Sequence, residues 1–372
     1  MTHSTANENH RLSFWASVRE SAVPPPMIES ATARRVVGDW AGACAAAHVD
    51  ADLDLRTIHR LHGTQFAREL RDDLRHLAPD LLRWHFPRIG PDGLVRPAVT
   101  VSLARYGRLH LVARTPPAWA SAGQRISLAL WDPARPRDGV GGHRHPHPDR
   151  RFRLDLHRHL WDVRKAAELR ERTTGDPGAA RLAAELDAEE HGLAVDRWAA
   201  EAALLLRADG CADRIVSVRL NTQRWLAFDG SSMVATSRGR AGPVLPDAAT
   251  WVLPDLELLR AGLIDADRLH PLVASALVPD HQPAARSPDT APSARLVQCR
   301  GATHRIGVVD GVPVALDHDP DEIRREELLT ALGGPALPCL RVVDVLRQPE
   351  SLVDVRARLA HSLYRAGITT FR

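Results

Sequence analysis

Ala98-Val-Thr-Val-Ser-Leu-Ala104, Arg108-Leu-His-Leu-Val-Ala113 and Arg125-Ile-Ser-Leu-Ala-Leu-Trp131 decide the fold class. Each is a short apolar run rich in residues that suit a pleated surface, and each is bounded by turn formers. Tyr106-Gly107 fits a tight connection between the first two, and Thr115-Pro-Pro-Ala a longer loop before the third. The three predict an antiparallel meander. Just upstream the period changes: Phe66, Leu70, Leu74, Leu77 and Leu81 recur every three or four residues, the spacing of one helix face. Pro79 inside that run predicts two helical pieces or a kink near Ala78, because proline removes an amide donor and clashes with the preceding turn. Helices and antiparallel strands in separate blocks imply an α+β fold, with hairpins and a three-stranded meander packed by helices in two or three lobes.

Working outward, Asp132 to Asp149 is broken by Gly, Pro and His and reads as loop. Leu156, Leu160, Val163 and Ala167 form an apolar stripe that predicts a helix, and a second helical stretch runs from Ala179 to Arg207, interrupted at Gly192. Arg214-Ile-Val-Ser-Val-Arg-Leu220 and Trp225-Leu-Ala-Phe228 predict a hairpin, and Leu256 to Leu277 two short helices. Near the C-terminus, His304-Arg-Ile-Gly-Val-Val309, Asp310-Gly311 and Val312-Pro-Val-Ala-Leu316 form a second hairpin signal, Asp-Gly being a favoured two-residue turn. Asp319, Pro320 and Glu322 then look like a helix start, with Glu322 as the capping-box carboxylate. The chain accordingly divides into a flexible arm at 1–30, a body at 31–278, a proline-rich linker at 279–293 and a hairpin–helix module at 294–372.

A chain of 372 residues with 44% hydrophobic and 26% charged residues can build sizeable cores. No apolar run approaches the roughly 20 residues of a membrane-spanning helix, and residues 1–9 lack the basic and apolar regions of a signal peptide. Cys44, Cys211, Cys299 and Cys339 lie far apart with no CxxC pair, a pattern that argues against a disulfide scaffold or a cysteine zinc finger and suits a cytoplasmic protein. The charge is uneven. Residues 83–164 hold 15 arginines, six aspartates and no glutamate, a net +9, so the rest of a chain of net +3 carries −6. Arg105, Arg108, Arg114, Arg125, Arg144 and Arg151, with Trp84, Phe86, Tyr106, Trp119, Trp131, Phe152 and Trp161 interleaved, are candidates for phosphate contacts and base stacking on a nucleic acid, or for docking an acidic protein. The opposing reading has the aromatics in the core and the arginines paired with the acidic remainder.

No phosphate-binding P-loop, dinucleotide fingerprint or GxSxG elbow occurs. His143, His145 and His147 raise local ligand density, but Pro146 and Pro148 oppose the helix that would align them, so they read as a basic loop and no cofactor is assigned. Cys299 and His304, with His318 across the hairpin, have the residue types of a nucleophile–base pair. A small thiol at the end of an apolar strand is more often buried and inert, and Cys211 and Cys339 rank lower still.

Asp310-Gly-Val-Pro-Val-Ala-Leu-Asp-His318, Glu322-Ile-Arg-Arg-Glu-Glu-Leu-Leu329 and Ala331-Leu-Gly-Gly334 together resemble a segment of actinobacterial ankyrin-repeat-associated proteins of unassigned activity. The resemblance covers about 70 residues, and this chain has no recognisable ankyrin repeats. It implies a binding or scaffolding component and carries over no functional residue. The expected function is therefore a non-catalytic cytoplasmic interaction protein with a basic middle lobe. A nucleic-acid-binding protein and a Cys/His or histidine-metal hydrolase or lyase are the alternatives.

Overall fold

A computed structural model describes residues 11–16, 18–19, 22–90, 93–121, 123–134, 147–212, 214–236, 242–281, 295–300, 302–309, 312–331, 337–340, 343, 360, 361 and 364. The fold is α+β, and the chain separates into one unit made of 1–282 and 360–372 and a second made of 283–359.

The meander forms as the alternation requires: β2 (Thr100–Tyr106), β3 (Leu109–Arg114) and β4 (Ile126–Trp131) pair antiparallel in sequence order. A short strand that the sequence does not announce, β1 (Val49–Ala51), adds to β4 in parallel. The helical span Leu55–His76, broken at Gly63 where φ is +86°, and the helix Pro79–His85 cover this sheet, separated by extended Leu77 and Ala78 just before Pro79. Leu70, Leu74, Leu77, Leu81 and Leu82 pack with Val101, Leu103, Leu111, Ile126 and Leu128 in one core. At about 1.5–3 kcal/mol for each buried large apolar side chain, this cluster is the main source of the unit's stability.

The hairpin expected around Asn221 is present: β5 (Val216–Arg219) pairs with β6 (Trp225–Phe228), and β7 (Met233–Thr236) extends it. The Asn221 side chain closes the turn by accepting from the amides of Gln223 and Arg224. The helix Trp198–Asp209 packs on this sheet through an edge-to-face contact between Trp198 and Phe228. The helix expected through Leu156 and Ala167 is instead two 3₁₀ turns, Arg158–Leu160 and Val163–Lys165, followed by Glu168–Arg172. Asp162 ends the first turn with φ −104°, ψ 117° and caps the second, so the backbone cannot run through.

Residues 11–30, expected as an arm, bring Val18, Val23 and Ile28 into a buried cluster with Trp84. Residues 1–10 lie outside the described residues. The boundary between units falls at Gln282/Pro283, within the stretch expected to be a linker, most of which is also outside the described residues. The first unit regains the chain at Ala360: Ala360 and Tyr364 are buried beside Ala120 and Trp119, and His361 Nε2 lies 2.9 Å from Asp50 Oδ2. The module expected to run to 372 thus ends near 359.

In the second unit, β8 (Arg295–Cys299), β9 (Ala302–Val309) and β10 (Val312–Ala315) form an antiparallel sheet in the order β10-β9-β8. The helix Pro320–Ala331 follows, with Asp319 accepting from the amide of Asp321 at its start. Among the described residues no helix is long and apolar enough to cross a membrane.

Candidate metal centre

The second unit concentrates its chemistry in one place. Cys299 closes β8, and the tight turn to β9 places His304 two residues after the Cys299↔Ala302 pair. Strand alternation puts His304 on the same face as Ile306, which is buried in the unit's core. His318 follows β10 immediately before the helix cap, and Cys339 enters from the helical turn at residues 338–340. Leu337, Leu340 and Val343 pack around it and fix its position.

The four side chains meet. Their donor atoms all lie within 4.8 Å of one another. His304 Nδ1 is 2.7 Å from His318 Nε2, and Cys339 Sγ is 3.7 Å from His304 Nδ1. A tetrahedral zinc ion with bonds of about 2.3 Å to sulfur and about 2.0 Å to nitrogen spaces its donors by about 3.3–3.8 Å. The Cys339–His304 approach already falls in that range, and the His304–His318 approach is shorter than it. Two thiolates and two neutral imidazoles also match the charge and softness of a zinc site.

The surroundings orient the donors. His318 Nδ1 lies 3.1 Å from Glu322 Oε2, which leaves Nε2 facing the cluster. The other Glu322 oxygen accepts from Arg300 at 2.8 Å, and Arg300 also reaches Glu326 at 2.6 Å. The carboxylate expected as a capping box is therefore turned to His318 and Arg300 instead, because the imidazole one residue before the cap is a stronger partner for it than a backbone amide. Arg305 holds the Asp317 carboxyl down at about 2 beside the site. Burial and the neighbouring Cys299 sulfur push the Cys339 thiol up to about 11. A bound cation reverses that balance, since thiols that coordinate zinc are deprotonated.

Cys299 and His304 were each visible as candidates, and the structure places His318 beside them as the hairpin suggested. It also adds Cys339, which no local spacing reveals. As a nucleophile Cys299 is poorly placed: it is 1% exposed, and its chemistry faces three other donors rather than an open cleft. Of the histidine-rich loop, His147 stacks edge-on against Trp131, while His143, Arg144 and His145 lie outside the described residues.

Of the candidate polyanion-binding arginines, Arg105, Arg108, Arg125 and Arg151 meet aspartates of the same unit. Arg105 reaches Asp155 and Asp209, Arg125 forms a two-pronged pair with Asp50, and Arg151 does the same with Asp247. Arg153, Arg158 and Arg164 bind Asp155, Asp209, Asp73, Asp162 and Asp72. Arg108 makes one contact of 3.5 Å to Asp132 and is the exposed member of the set. Arg114 is buried, and burial lowers its pKa. Trp84, Phe86, Phe152 and Trp161 are in the core, so they present no stacking face. Arg105, Arg125 and Arg151 are thus paired inside the unit, while Arg108 stays exposed.

Other polar clusters in this unit are interior. Glu201 is gripped by His157, Arg172 and Arg197, and Trp84 donates to Asp255 while His270 meets Asp80. Ser102 Oγ and His110 Nδ1 are 3.0 Å apart, but Ser102 is wholly buried in β2 and no substrate reaches it. Comparison with known proteins finds no matching family model, curated protein or solved structure.

Proposed function

We propose that residues 283–359 form a zinc-stapled docking module and that the chain is a non-catalytic interaction protein. The convergence of Cys299, His304, His318 and Cys339 within 4.8 Å carries this reading. Four protein donors fill a tetrahedral shell and leave no position for water or substrate, which is the pattern of a structural rather than a catalytic site. Size argues the same way. A unit of fewer than about 80 residues rarely folds on its apolar core alone and needs a disulfide, a metal or an assembly partner. The described core here is small, comprising Cys299, Ile306, Leu337, Cys339, Leu340 and Val343, and two of those six are donors.

The resemblance of the 310–334 segment to ankyrin-repeat-associated proteins supports a binding role for the same unit. The internal pairing of Arg105, Arg125 and Arg151 supports it over a nucleic-acid contact by the first unit. Replacing the metal of the full-length protein with cobalt(II) tests the proposal. The ligand-field bands of a tetrahedral site with sulfur-to-metal charge transfer are expected, and they vanish in Cys339→Ser. An octahedral spectrum would sink the reading.

A further inference from the structure

Resting on that zinc reading, we propose that the second unit is a peroxide-responsive thiol switch, in which Cys299 and Cys339 exchange a shared zinc ion for a disulfide. Of the four cysteines, these two are neighbours. Their sulfurs lie within 4.8 Å of each other in the donor cluster, whereas Cys44 and Cys211 belong to the other unit. Cys299 ends a strand and Cys339 sits on a helical turn 40 positions later, so a bond between them keeps two of the elements that the metal joins tied together. A disulfide requires sulfurs about 2.05 Å apart, and these two already lie within 4.8 Å of each other.

The rest of the cluster decides what happens to the ion. Once both sulfurs are tied to each other, His304 and His318 are the remaining donors, and two imidazoles hold zinc far more weakly than two imidazoles and two thiolates. The ion leaves. Both sulfurs are buried and the His318 side chain is only 2% exposed, while His304 is half-buried and Arg300 and Arg305 beside them are exposed. Burial of both sulfurs favours a small hydroperoxide over a bulky thiol reagent as the oxidant.

The chemistry balances with a hydroperoxide as oxidant. One thiolate attacks a peroxide oxygen, the O–O bond breaks, and a sulfenic acid forms as the leaving hydroxide takes a proton. The second thiolate attacks that sulfur, forming the S–S bond and breaking the S–O bond, and the second hydroxide also takes a proton. The two sulfurs lose two electrons, the peroxide gains two and becomes water, and Zn²⁺ departs with the charge that the thiolates had neutralised.

The test uses the full-length, tag-free protein, with zinc measured before any oxidant is added. Absence of zinc at that stage overturns the metal reading and this one with it. With zinc present, hydrogen peroxide is added under anaerobic conditions. Release is followed with a chromogenic chelator and thiols are mapped by alkylation and mass spectrometry. The expected result is one zinc released per chain, a Cys299–Cys339 disulfide, and restoration by dithiothreitol plus zinc. Cys211→Ser, which removes the partly exposed thiol of the other unit, should leave release unchanged. Zinc retained in excess peroxide, or released without that disulfide, overturns the switch while leaving the zinc site standing.

Discussion

The Glu322 carboxylate accepts a hydrogen bond from His318 Nδ1 at 3.1 Å. That contact selects the tautomer in which Nε2 carries the lone pair, and Nε2 is the atom that faces His304. A carboxylate behind a histidine ligand fixes its ring and raises its basicity, and losing such a partner typically costs 10–100-fold in metal affinity. Glu322→Gln is therefore expected to weaken zinc binding by about that factor with the unit still folded in excess zinc, as measured by competition with a chromogenic chelator. An unchanged affinity would show that Glu322 only decorates the helix start.

Removal of the metal should act on one unit alone. Apparent binding free energies of structural zinc are about 10–16 kcal/mol, as large as the whole stability of a small domain. Chelation, or His304→Ala, is expected to expose the amides of 295–331 to hydrogen exchange while β2, β3 and β4 keep their protection. Persistent protection of 295–331 without metal would mean that the apolar core suffices.

The arginine pairs of the first unit predict a graded response. Arg153 and Asp155 are both buried, and breaking a buried pair by removing one partner costs about 3–5 kcal/mol. Arg153→Met should lower the unfolding free energy from urea titration by that amount. Arg108 is 66% exposed with a single 3.5 Å contact, so Arg108→Gln should stay within about 0.5 kcal/mol. Equal effects would contradict the assignment of these arginines to internal pairing.

Acid sensitivity has a defined sign. Burial, then Arg105, lowers the His110 pKa to about 4, and burial pushes His159 well below its usual value. Unfolding restores both to about 6.5, so the unfolded chain binds more protons and stability falls as pH drops from about 6.5 toward 4. Glu201 and Asp50 are held below the usual carboxylate range by His157 and Arg125, respectively, against the opposing effect of burial. Their contribution is present above about pH 4 and lost below it. Thermal melts between pH 4 and 8 should show the first loss, smaller in His110→Gln. A flat profile down to pH 4.5 would contradict it.

Legibility in the sequence followed the range of each interaction. The meander, the break at Pro79 and both hairpins were readable because alternation, proline and turn residues act within a few positions. β1 was not, since Val49-Asp-Ala51 is too short to alternate and forms only because β4 offers it an edge. The excess of arginine in 83–164 was readable, but Asp50, Asp209 and Asp247 are distant in sequence and carry no sign of which arginine they meet. Cys299, His304 and His318 drew notice as a hairpin cluster. Cys339 did not, because the 20 residues between it and His318 include a whole helix, and only folding converts Cys-x4-His and His-x20-Cys into one site. Glu322 fitted two patterns at once, and the adjacent imidazole decided between them.

The most direct test is elemental analysis of tag-free full-length protein after exhaustive dialysis, beside Cys339→Ser and a variant with His143, His145 and His147 all changed to alanine. The account predicts one zinc per chain in the wild type and in the triple-histidine variant, and a marked loss in Cys339→Ser. Zinc absent from the wild type, or lost with the His143–His147 loop and kept by Cys339→Ser, would contradict it.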